Sequence, residues 1–198
     1  MYSILAIFLQ FLSGSVMYSY LLARLVNVDL RKVGDGNPGS FNLWRAKGAK
    51  FGMITLLLDY FKGTFPLFLF MITDSVKDEC VIAVAALFGI LGHAFSPMLK
   101  FKGGKAIATT FGAWTVLTKW EAPAILGTIF TIFAFLKSKG IIVKDNAFGV
   151  LLGFIALLPY VIYKCYSGQA HILLFYIGNL CIIGYKFRHD RVKSICQE

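Results

Sequence analysis

Acidic side chains are scarce in this chain of 198 residues: ten Asp and Glu stand against twenty Lys and Arg, a formal net charge of +10. Cysteine is scarcer, and Cys80, Cys165, Cys181 and Cys196 form no CxxC pair and no Cys/His cluster. Such spacing predicts packing residues within or beside apolar segments, not a redox pair or a zinc site. The three histidines, His93, His171 and His189, lie in distant segments, so no metal and no cofactor is expected. A Gly-x-Ser-x-Gly elbow is missing, as is the six-residue frame closing in Gly-Lys-Ser/Thr. No low-complexity tract occurs, and no polar stretch is long enough for a separate soluble domain. That removes nucleic acid as the partner of the basic charge. Nor does a basic segment precede the first apolar stretch, whose nearest cation, Arg24, lies on its far side. A cleavable signal is therefore not expected there.

What is abundant is apolar surface. Hydrophobic residues make up 58% of the chain, and the mean hydropathy is +0.71, against roughly 45–50% apolar content in a soluble domain. The runs near 3–25, 52–72, 80–98, 105–118, 122–136, 146–163 and 169–186 approach the roughly 20 residues a membrane span needs. The fourth and fifth are short, and as half-spans or a re-entrant pair they would lower the count from seven toward five. An all-α, polytopic membrane bundle of about seven helices, one domain over 1–198, is the expectation. Charge placement supports seven. Sixteen cations fall in the connections after spans one, three and five and in the tail, against three (Lys77, Lys119 and Lys164) in the others. By the positive-inside rule the N-terminus lies outside and the C-terminus in the cytoplasm. The basic loops then face an anionic lipid leaflet and, with it, anionic substrates.

Two loops on that basic side carry the chemistry. The first reads Gly34-Asp35-Gly36-Asn37-Pro38-Gly39-Ser40-Phe41-Asn42-Leu43-Trp44-Arg45. Its glycines let backbone N–H groups turn toward a ligand, Asn37 and Asn42 add neutral donors, and Arg45 adds a fork suited to phosphate. A plain turn rich in breakers is the competing account. The second follows Gly92-His93-Ala94-Phe95-Ser96-Pro97 and reads Phe101-Lys102-Gly103-Gly104-Lys105, opening into Ala108-Thr109-Thr110. A Gly-Gly-Lys turn before a helix offers free N–H groups and the positive end of the helix dipole, with Lys105 as a point charge. His93 sits in a membrane segment, where an ionisable side chain invites a functional role; a bond to a backbone carbonyl is its structural alternative. Asp59 and Lys62 share a helix face and are expected to form a structural ion pair. His189 lies in the tail, positioned to close over the loops. Together these predict phosphate-bearing ligands held where membrane meets cytoplasm, beside helices able to admit a lipid chain.

The motifs resemble those of the bacterial membrane-integral glycerol-3-phosphate acyltransferases that use acyl-phosphate. That family is similar in its size of about 200 residues, its seven helices with the N-terminus outside, and its three cytoplasmic motifs. Its first motif resembles Gly36-Asn37-Pro38-Gly39 with Asn42 and Arg45; its Asp-x-x-Lys-Gly resembles Asp59, Lys62 and Gly63; its second resembles Gly92-His93, Phe95-Ser96-Pro97, Phe101 through Lys105, and Ala108-Thr109. The soluble acyltransferase pattern of His, four residues, then Asp is absent, because Met98 follows at that spacing from His93. The resemblance implies transfer of a fatty acyl group from acyl-phosphate to the 1-hydroxyl of glycerol 3-phosphate, giving lysophosphatidic acid and phosphate. It also implies a bilayer setting, here with a monomer expected. It assigns His93, Lys105 and Arg45 to catalysis and Gly36, Asn37, Gly39, Asn42, Lys102, Gly103, Gly104, Thr109 and His189 to substrate binding, leaving Asp35, Asp59 and Lys62 without a fixed role. Three positions depart from the family: Asp35 replaces a Ser, Ala106 replaces a Gly in a way that favours the helix but narrows the approach, and Val192 stands where an Asn follows His189. These departures motivate a divergent acceptor or a weak activity as a second possibility. A transporter of a small phosphorylated solute is the third, with only Asp59, Lys62 and His93 deep enough to line its path.

Overall fold

In lipid every backbone polar group must be bonded within its own segment or to a neighbour, so long apolar runs become helices. The computed structural model describes residues 2–142 and 145–195, without the side chains of 189–195, and is all-helical among them. Its helices are α1 (Tyr2–Ser15), α2 (Tyr18–Leu25), α3 (Ser40–Lys47), α4 (Ala49–Ile72), α5 (Glu79–Ala94), α6 (Ile107–Thr118), α7 (Glu121–Ser138), α8 (Asn146–Tyr166) and α9 (Ala170–Ile195), with 3₁₀ turns at Leu30–Lys32 and Pro97–Leu99. Among the described residues, six segments are long and apolar enough to cross a membrane. This is a multi-pass membrane protein.

The expected fourth span is the exception to the seven. Helix α6 has 12 residues, about 18 Å at 1.5 Å per residue, short of a hydrocarbon core of about 30 Å. The fifth is longer than its apolar run implied, with 18 residues. The expected first span is broken between α1 and α2, α3 is an additional helix inside the basic loop, and α9 runs past the expected end at 186 into polar sequence. Cys80 and Cys181 are exposed rather than packed.

Large apolar side chains stand on the surface as well as in the core, and polar side chains lie buried among the core. Ile4, Phe8, Phe61, Phe65 and Ile72 face outward, while Gln10, Ser19, Asn42, Thr55, Asp59, Lys62, His93 and Asn179 are buried. Some buried polar side chains repair the backbone. The break after α1 frees carbonyls: Lys62 Nζ donates to Val16 O at 2.6 Å, and Ser96 Oγ donates to Ser15 O at 2.6 Å. Pro66 sits inside α4 and cannot donate to the carbonyl four residues before it, Lys62 O. Ser13 Oγ (3.0 Å) and Gln10 Nε2 (3.2 Å) donate to that carbonyl instead. Asp59 and Lys62 form the expected ion pair, 2.8 Å apart, buried at this junction. Ser19 Oγ donates to the other Asp59 oxygen at 3.4 Å.

Close packing follows from small residues, as membrane helices with no hydrophobic drive between them require. Helix α1 lies on α5, and α4 on α6. A Cβ on Gly14 would stand 2.0 Å from Gly89 O, and one on Gly112 would stand 2.2 Å from Tyr60 O. Trp114 of α6 is wholly buried against Phe175 of α9, and its indole N–H donates to Asn179 Oδ1 at 3.2 Å. The short helix is thus enclosed by protein.

Candidate active site

The two glycine-rich loops meet at the Lys- and Arg-rich end of the bundle. In the first, Gly34 and Gly36 hold φ at +57° and +69°, where an L side chain is strained. A Cβ at Gly34 would also meet Asn42 Oδ1 at 2.6 Å and the Arg45 guanidinium at 2.7 Å. The turn therefore brings Asp35 and Asn37 over α3, whose Asn42 and Arg45 rise to meet them. Asn42 Nδ2 donates to Asp35 Oδ1 at 2.8 Å and to Asn37 O at 2.9 Å. The Asn37 N–H donates to the same Asp35 oxygen at 3.2 Å. Arg45 lies over the Phe41 ring, 4.7 Å from its centroid.

In the second loop, the Gly103-Gly104 turn is seated on the end of α5. The Gly104 N–H donates to His93 O at 3.1 Å. Any side chain would collide there, since a Cβ on Gly103 would lie 1.9 Å from His93 O and one on Gly104 would lie 2.5 Å from His93 Nε2. His93 is buried, with Nδ1 3.3 Å from Thr109 Oγ1, and that hydroxyl donates to Asp59 O at 3.1 Å. Lys105 emerges from the turn, 4.6 Å from the centroid of the Phe187 ring. It crosses to the first loop and donates to Asp35 Oδ2 at 2.7 Å. Partial burial opposes ionisation of Asp35, but the hydrogen bond and charge of Lys105, then Asn42 and Asn37, outweigh it. Its carboxyl is held below the ordinary 3.8.

Ala106 departs from its expected role. It precedes α6 rather than lying within it, with φ +58° and ψ +21°. It does not favour the helix, because a left-handed backbone penalises its Cβ. Lys100 and Phe101, also at positive φ, make this loop a strained one.

Asp35, Asn37, Gly39, Asn42, Arg45, Asp59, His93 and Lys105 line one cavity of about 820 Å³. Its other wall is apolar: Leu56, Leu57, Phe111, Phe130, Phe133 and Val150 continue the space between α4, α6, α7 and α8. The remaining predicted residues stand behind the lining. Gly36, Gly103, Gly104 and Thr109 shape the loops, and Lys62 holds the α1–α2 junction. The Lys102 side chain is exposed outside the cavity, and its carbonyl accepts from Arg31. The side chains of His189 and Val192, and residue Lys144, lie outside what is described.

Two supports escaped the sequence. Arg31 donates to Gly36 O (3.3 Å) and to Lys102 O, tying the loops together. Lys186 is buried, and its Nζ donates to Ala94 O and Gly103 O, each at 3.0 Å. Both counted only as basic-side charge. A lysine at the inner end of an apolar span was the one available signal, and it could not name carbonyl partners more than eighty residues away.

Comparison with known proteins identifies the family. The family model described as glycerol-3-phosphate acyltransferase matches residues 4–196. Glycerol-3-phosphate acyltransferase 1 of Thermotoga maritima is 56% identical over 185 residues, 91% of either chain. The enzyme of that name from Leptospira borgpetersenii is 41% identical over 131 residues, 66% of this chain and 59% of the other. The crystal structure of PlsY (YgiH), an integral membrane glycerol 3-phosphate acyltransferase, in its glycerol 3-phosphate form, has the same fold: TM-score 0.81 over 100% of this chain and 94% of that one, at 24% identity. The chain belongs to the glycerol-3-phosphate acyltransferase family.

Proposed function

We propose that this membrane-integral unit transfers a fatty acyl group from acyl-phosphate to the 1-hydroxyl of glycerol 3-phosphate, giving lysophosphatidic acid and inorganic phosphate. The observation that carries the proposal is the cavity's two-part lining: Asn37, Arg45 and Lys105 at one end, and an apolar channel of Leu56, Leu57, Phe111, Phe130 and Phe133 continuous with it. A phosphate head with a fatty tail matches that division, and about 820 Å³ suits a lipid-sized ligand.

An acyl-phosphate is already activated, so the protein's task is to hold two phosphates and place the hydroxyl at the carbonyl carbon. Arg45 clamps one phosphate with its fork, and Lys105 offsets charge as the acyl–phosphate bond breaks. Backbone N–H groups of the two glycine turns add donors. The ester C–O bond forms, the C–O bond to phosphate breaks, and the hydroxyl proton balances on the released phosphate. His93, fixed between Thr109 and the Gly104 turn, presents its ring to the cavity and orients the bound groups.

The topology proposed with this chemistry is seven crossings, with α6 as a short one, the N-terminus outside and the site at the cytoplasmic face. The decisive experiment uses purified protein in detergent, palmitoyl-phosphate and labelled glycerol 3-phosphate, with lysophosphatidic acid as the readout. Turnover without acyl-CoA or acyl carrier protein, abolished by Lys105→Ala, is expected. No turnover from a folded protein would sink the proposal in favour of another acceptor.

A further inference from the structure

Asp35 is the one acidic side chain in the first loop, and it is not turned away from the cavity it lines. Its two oxygens take three donors that would otherwise serve an incoming anion: Lys105 Nζ at 2.7 Å, Asn42 Nδ2 at 2.8 Å and the Asn37 N–H at 3.2 Å. These donors come from both glycine-rich loops, so the carboxylate bridges segments 70 residues apart. Its side chain is nevertheless 48% exposed, which leaves the contact displaceable and half-solvated, and so weak.

Three roles are open to a carboxylate in a cavity of this kind. As a general base it is poorly suited, because all of its donors stabilise the ionised form and weaken its pull on a proton. As a purely structural bridge it duplicates Arg31, which already joins the same loops. The third role fits the donor set. We infer that Asp35 is an internal stand-in for phosphate: it occupies the anion position made by Lys105, Asn42 and the Asn37 amide, keeps those groups aimed, and lowers the affinity of that position for phosphate groups.

This rests on the phosphate-site assignment proposed above and adds a consequence to it. A phosphate can take Lys105 only by displacing Asp35 or by sharing the cation with it, and sharing sets two anions against each other. Inorganic phosphate, which the proposed reaction releases, would be held loosely. Asp35 would thereby trade substrate affinity for relief from product inhibition.

The test has two arms. In the first, thermal unfolding of the purified full-length protein is followed against inorganic phosphate for wild type, Asp35→Ser, Asp35→Asn, Lys105→Ala and the Asp35→Ser/Lys105→Ala pair. The half-saturating phosphate concentration should fall roughly threefold to tenfold in both Asp35 variants, and Asp35→Ser should have a smaller effect once Lys105 is gone, because only Asn42 and the Asn37 amide are then released. The near-isosteric Asp35→Asn keeps the measurement available if Ser disturbs the loop. In the second arm, KM is measured separately for palmitoyl-phosphate and glycerol 3-phosphate, and whichever falls names the phosphate that Lys105 receives. Unchanged or weaker phosphate binding in both variants overturns the inference, as does a phosphate-blind wild type. Tighter binding in variants that never turn over substrate would leave the inference standing and remove the acyltransfer assignment instead.

Discussion

Ala106 holds a left-handed backbone directly beside the catalytic candidate Lys105. The conformation costs an L residue about 1–2 kcal/mol, while glycine gives back about 0.4–1 kcal/mol in unfolded-chain entropy. Ala106→Gly should therefore stabilise the protein by about 0.5–1 kcal/mol, read as a raised Tm in detergent. Lys186 carries the opposite sign. Its ammonium serves the carbonyls of Ala94 and Gly103, and buried acceptors left without a donor cost about 1–3 kcal/mol. Lys186→Ala should lower Tm and raise KM together, because Gly103 belongs to the turn that aims Lys105. Asp35 supplies a pH test. Its folded carboxyl lies below the ordinary 3.8, so its contribution is complete above the unfolded value and is lost as pH falls through the folded one. Among the described residues, Lys105 is directly bonded to it, and Arg45, Lys137 and His93 line the same cavity. The Tm difference between wild type and Asp35→Asn should be constant from about pH 8 to about pH 5 and shrink below about pH 4.

Among the helices, the α1–α4 seam shows how a polar residue is tolerated at membrane depth. Pro66 leaves Lys62 O without its helical donor, and Gln10 and Ser13 supply replacements from α1. Such interhelical bonds are worth about 0.5–1 kcal/mol in membranes. Gln10→Leu should cost that much in the native chain and less in a Pro66→Ala background, where the backbone N–H returns to the carbonyl. Equal costs in both backgrounds, measured by unfolding in detergent, would show that the two features are uncoupled. The apolar runs that form these helices were legible in the sequence; the break after Ser15 was not. It depends on Lys62 and Ser96 donating to freed carbonyls from segments 46 and 81 residues away.

For the molecule as a whole, the charge asymmetry makes a topological prediction that parity alone controls. Cys80 stands exposed at the start of α5, on the outer side if the N-terminus is outside. A membrane-impermeant thiol reagent added to intact cells should label Cys80, whereas Lys47→Cys should react only after permeabilisation. Mass spectrometry of the labelled peptides separates the two. The reverse pattern would invert the proposed topology and put the cavity's polar end on the outer side.

Composition and local pattern determined the membrane class, the position of the apolar runs and the two loops that carry the chemistry. These depend on hydropathy, on glycine's backbone freedom and on residue type, all of which are local. Only the tertiary structure decided that the short α6 is enclosed by protein, that the first span is broken, and that the Lys102 side chain stands exposed outside the cavity lining. It also decided that Asp35 meets Lys105 and that Lys186 lies under the turn. The reason is common to all five: each is settled by contacts between segments far apart in sequence, where close packing and the need to satisfy buried backbone groups select one arrangement from many that local preferences allow.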